Sequence, residues 1–127
     1  MRCLIVEDHQ DLAELLGTIA TDLGLLPDVV YSQSAALDRL QIGGYDVVLS
    51  DLHLPDGNGL TVVQIAAFRC PEAKAVLLTG SCDYPFGEMH AMSHNICTVL
   101  RKQSGMAMVE AYLATLCHRA QHASAFC

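Results

Sequence analysis

The sequence predicts an α/β domain built on a parallel sheet, and three observations carry that prediction. Short apolar runs of strand length alternate with amphipathic stretches of helical period along the chain. Polar and charged residues gather just after these runs: Glu7-Asp8, Asp51, Thr79-Gly80-Ser81 and Arg101-Lys102. A hydrophobic content of 52% and a mean hydropathy of +0.33 are ample for a sheet buried on both faces. Strands alternating with helices of this length imply right-handed crossovers, and therefore parallel strands.

The first strand is read over Cys3 to Val6 and the first helix over Asp11 to Leu23. Leu12, Leu15, Leu16, Ile19 and Leu23 form one apolar stripe on that helix, and Gly24 is a fitting stop. A second strand, Asp28 to Tyr31, precedes a helix over Ser34 to Leu40 with Ser34 as its N-cap. The third strand spans Asp46 to Ser50, and its helix spans Gly59 to Phe68. Ala75 to Thr79 is the fourth strand, followed by a short helix over Phe86 to Ser93, where Pro85, Gly87 and Asn95 weaken the helical signal. Cys97 to Arg101 is the fifth strand, and Ser104 caps a final helix over Met106 to His118.

A chain of 127 residues fits one compact domain over 1–127, and no output domain is visible. Its net charge of −7 with only seven Lys and Arg argues against a nucleic-acid surface, which needs clustered cations to neutralise phosphates. The six cysteines lack CxxC spacing and fit a reducing cytoplasm. No apolar stretch approaches membrane-spanning length, and Glu7-Asp8 interrupt the N-terminal run before it could act as a signal segment.

The parallel sheet gives the polar residues their meaning, because ligands bind outside the carboxyl ends of such strands where the order reverses. Acids from the first and third strands, a hydroxyl from the fourth and an ammonium from the fifth would converge on one edge. Like charges packed there repel and resist desolvation, so a hard divalent cation or a proton among Glu7, Asp8 and Asp51 would ease the strain.

In these residues the chain resembles the receiver domain of bacterial two-component response regulators, over essentially its whole length. Glu7-Asp8, Asp51, Pro55 and Gly59, Thr79 with Gly80, and Lys102 fall in that family's order and spacing. The resemblance implies a doubly wound five-stranded sheet of order 2-1-3-4-5 with five helices. It implies phosphorylation of Asp51 by a sensor histidine kinase or phosphotransfer protein, with Mg2+ held by Glu7, Asp8, Asp51 and the His53 carbonyl. Lys102 and Thr79 would contact the phosphoryl oxygens, and Gly80 would leave them room. The downstream partner, a target protein or a second copy of the chain, would dock on the face made by the fourth helix, fifth strand and final helix.

Two departures stand out. Gln103 follows Lys102 where the family usually has proline, and Val99 occupies the position of the usual switch aromatic, so the common coupling of threonine to a swinging ring is not expected. A degenerate, phosphorylation-independent interaction adaptor is therefore the alternative function. A dinucleotide enzyme is set aside because no GxGxxG follows the first strand. A haloacid dehalogenase-like phosphatase is set aside because His53 stands where that family places its second acid. The pairs His90/His94 and His118/His122 have helical metal-binding spacing, but without a third ligand in register they read as surface histidines.

Overall fold

In the computed structural model, the described residues are 1–80, 93–102 and 106–122, with side chains described as far as Cys117. The chain runs through β1 (Arg2–Val6), α1 (Gln10–Asp22), β2 (Leu26–Val30), α2 (Gln33–Ile42), β3 (Val47–Asp51), β4 (His53–Leu54) and β5 (Gly57–Asn58). It continues through α3 (Gly59–Arg69), β6 (Lys74–Thr79), β7 (Ile96–Arg101) and α4 (Met106–His122). Five strands form one parallel sheet in the order β2-β1-β3-β6-β7, which is the expected 2-1-3-4-5.

Alternation along each strand divides the core between the two faces of the sheet. Cys3 and Ile5 of β1, Val47 and Leu49 of β3, and Val76 and Leu78 of β6 pack with Leu16 and Ile19 of α1 and Val109 and Leu113 of α4. Leu4, Val6 and Val48 face the other way, against Ala36 and Leu40 of α2 and Val62 and Ala66 of α3. With helices on both faces the strands are buried throughout, which explains their near-continuous apolar runs. Val99 lies on the second face, 9% exposed, in a cluster with Leu52, Val63, Ala75, Leu77 and Ile96.

Several boundaries differ from the sequence reading. The N-cap of α2 is Ser32, not Ser34: its extended backbone (φ −150°) lets its Oγ accept from Ala35 N at 3.1 Å, and the helix begins at Gln33. The short antiparallel pair β4–β5 in the loop after Asp51 was not expected, because two-residue strands leave no periodicity to read. The described residues hold four helices; the expected helix over Phe86 to Ser93 and the expected cap Ser104 fall outside them, apart from Ser93 itself. Gly24 does sit just past α1 with φ +88°, a conformation side chains disfavour.

At the amino edge of the sheet, Arg2 donates to Asp28 Oδ2 (3.2 Å) and to Gly43 O (3.0 Å) and lies 4.5 Å above the Tyr45 ring. Tyr45 donates to the same Asp28 oxygen at 2.6 Å. This clamp ties β1, β2 and the turn into β3 together, at the end of the sheet opposite the acidic residues.

Candidate functional site

Apart from His53, which lies in β4, each expected site residue sits at or just past the carboxyl end of a strand of the parallel sheet, because the parallel order brings those ends to one edge. Glu7 and Asp8 follow β1, Asp51 ends β3, Thr79 ends β6 and Lys102 follows β7. Asp51 pairs in register with Leu78, and Thr79 is the next residue along β6. Glu7 is fully buried, Asp51 4% exposed and Thr79 2% exposed, whereas Asp8 and His53 face solvent.

Lys102 joins two of the acids. Its Nζ donates to Asp51 Oδ2 at 2.9 Å and lies 2.9 Å from Glu7 Oε1. That Glu7 oxygen is buried, and among the described residues its close polar contact is the Lys102 ammonium. Glu7 Oε2 accepts from the backbone N–H of His9 at 3.1 Å. The other Asp51 oxygen, Oδ1, accepts from the backbone N–H of His53 at 3.3 Å.

Burial drives the Glu7 carboxyl above the ordinary carboxylate range, with the neighbouring Asp51 charge adding to the rise, against the opposing pull of Lys102 and the His9 N–H. Partial burial acts in the same sense on Asp8, but its hydrogen bond with Glu7 and the charges of His9 and Lys102 outweigh it and hold Asp8 low. Burial works against the Lys102 charge as well, and Asp51 and Glu7 overcome it, so the ammonium is held above its usual range. Two carboxylates thus share one lysine with a third, Asp8, close by, a set that gains from additional positive charge.

Ligand atoms of Glu7, Asp8 and His9 lie within 4.8 Å of one another, close enough to hold one metal ion. Hard carboxylate oxygens, one of them buried with only the Lys102 ammonium against it among the described residues, suit a hard divalent cation such as Mg2+. Sequence reasoning missed His9. It is the N-cap of α1 but makes no side-chain cap; its Nδ1 instead lies 3.6 Å from both Glu7 Oε2 and Asp8 Oδ1. The only available signal was its position straight after the acidic pair.

Close packing against the backbone demands glycine at position 59. A Cβ on Gly59 would lie 2.1 Å from the backbone oxygen of Asp51, so α3 starts hard against the strand end carrying that carboxylate. At Gly80 a Cβ would meet nothing within 4 Å among the described residues. Ser81 and Gln103, both singled out in the sequence, lie outside the described residues.

Comparison with known proteins agrees with this geometry. The response regulator receiver domain family matches residues 3–114, and the chain belongs to that family. It is a receiver domain of two-component signalling, a phosphoacceptor type rather than a classical enzyme. The transcriptional regulatory protein CutR of Streptomyces coelicolor is 37% identical over 83 residues, which are 65% of this chain and 38% of that protein. The match to that relative therefore spans about two fifths of its length. A CheY-like receiver domain from Methylobacillus flagellatus superposes with a TM-score of 0.74 at 32% identity, covering 91% of this chain and 98% of that one. The response regulator TrrA of Thermotoga maritima, solved in complex with Mg(2+)-BeF, superposes at 0.76 with 25% identity, covering 91% and 97%. No helix among the described residues is long and apolar enough to cross a membrane.

Proposed function

We propose that Asp51 is the phosphoacceptor of this receiver and that Mg2+ is its cofactor. The observation that carries the reading is the Lys102 ammonium held 2.9 Å from both Asp51 and the buried Glu7 at the carboxyl edge of the sheet. Glu7, Asp8, Asp51 and the His53 carbonyl would hold the ion, with Glu7 acting directly or through water, as TrrA's complex with Mg(2+)-BeF makes reasonable for a relative. When bound, Mg2+ supplies positive charge that neutralises oxygens of the transferring phosphoryl group.

The chain's own residues do the rest. An Asp51 carboxylate oxygen attacks the phosphorus of a phosphohistidine on a sensor histidine kinase or phosphotransfer protein. The O–P bond forms as the P–N bond breaks, and the electron pair of that bond leaves with the partner's imidazole. Lys102, already bonded to Asp51, turns its charge to a phosphoryl oxygen, and the Thr79 hydroxyl donates to another. Burial of Asp51 and Thr79 limits the access of water to the aspartyl phosphate.

The phosphorylated domain would then bind a downstream protein or a second copy of itself, in the cytoplasm, through the face that includes β7 and α4. The expected fourth-helix part of that face falls outside the described residues, except for its last position. A specific observation favours the adaptor as the second reading: Val99 is packed in the core where a switch aromatic is usual, so the phosphorylation signal has no ring to move. Transfer of labelled phosphate from a phosphohistidine donor separates the two. The phosphoacceptor reading expects label on the wild type and none on Asp51→Asn; an unlabelled wild type that still binds its target favours the adaptor.

A further inference from the structure

We propose that Asp56 and Gln33 are positioning residues that latch the loop after Asp51 onto the start of α2 and thereby preform the cation site; the inference rests on the phosphoacceptor reading. The latch is built from both sides. Asp56 Oδ1 accepts from the backbone N–H of Gln33 at 2.8 Å and its Oδ2 from that of Ser34 at 2.9 Å. The Gln33 side chain returns the contact, its Oε1 accepting from Asn58 N at 2.9 Å.

Capping alone does not account for this arrangement. Ser32 already caps α2 through Ala35 N, so the helix end has its own side-chain acceptor without Asp56. What Asp56 adds is a tether spanning more than twenty residues of sequence, from the tip of the acceptor loop to a helix end whose dipole favours its charge. The root of the same loop is fixed independently, by Leu52 N to Leu78 O (2.7 Å) and Gly59 N to Leu52 O (2.8 Å). His53 lies between root and tip, and its N–H holds Asp51 Oδ1. Close packing supports the same contact, since a Cβ on Gly57 would fall 2.0 Å from Gln33 Oε1 and displace that side chain.

With the tip released, residues 52–58 sample more conformations, and the entropy of ordering them is charged to cation binding. Calorimetric titration with Mg2+ alone tests this. Asp56→Ala is expected to raise the Mg2+ dissociation constant about tenfold, the scale typical of losing a supporting residue behind a metal ligand. Asp56→Asn, which keeps one acceptor oxygen, should fall between, and Gly57→Ala should shift affinity in the same direction by displacing Gln33. The rate of Asp51 labelling should return to the wild-type value at saturating Mg2+, and the His53 and Asn58 amides should exchange faster without metal. An Asp56→Ala protein with wild-type Mg2+ affinity and only a lowered melting temperature would reduce Asp56 to a helix cap and overturn the latch. A wild type that binds no Mg2+ would instead overturn the phosphoacceptor reading, and the latch with it.

Discussion

Glu7 is the residue on which the electrostatics of the site turn. A carboxyl whose folded-state value is raised binds its proton more tightly in the native protein, so native stability falls as pH rises past the unfolded value near 4.5 and Glu7 ionises. Glu7→Gln removes that cost. Its stability advantage over the wild type should therefore widen as pH rises above the unfolded value in denaturant unfolding without metal, whereas a constant gap would mean Glu7 is not raised. At Gly59 the conflict is steric: Gly59→Ala drives a Cβ into the Asp51 carbonyl and should cost about 1–3 kcal/mol by urea unfolding, as overpacking against backbone does. Val99→Ala should lose about 1–3 kcal/mol as a core truncation while leaving Asp51 labelling intact. Asp51, Lys102 and Thr79 were legible as candidates because polar residues ending apolar runs violate the local pattern. His9 was not, since a histidine at the head of a helix breaks no rule.

Among the elements, the alternation of short apolar runs with helical ones was enough to place every strand of the parallel sheet and the four described helices, with most boundaries moving by a residue or two and the last helix running four residues further, to His122. Caps were less readable. Ser32 and Ser34 are equal candidates by type, and only the extended backbone at Ser32 decides between them. Ser32→Ala should cost about 1 kcal/mol in thermal or denaturant unfolding, and Ser34→Ala much less, because Ser34 contributes its backbone N–H to Asp56. The β4–β5 hairpin and the Asp56 latch were invisible for a related reason: both depend on contacts between segments whose local sequence carries no sign of the partner.

Across the whole molecule the two edges of the sheet have different roles. The Arg2–Tyr45–Asp28 clamp closes the amino edge with satisfied polar contacts. The carboxyl edge pairs Lys102 with Glu7 and Asp51 and sets Asp8 beside Glu7. The proposed phosphoacceptor role puts cation binding and phosphoryl transfer at that edge. Intact mass spectrometry of the wild-type chain after incubation with acetyl phosphate, with Mg2+ and with excess chelator, tests that claim most directly. One phosphoryl group per chain with Mg2+ and none with chelator is the predicted result; equal labelling in both conditions, or none in either, would contradict it.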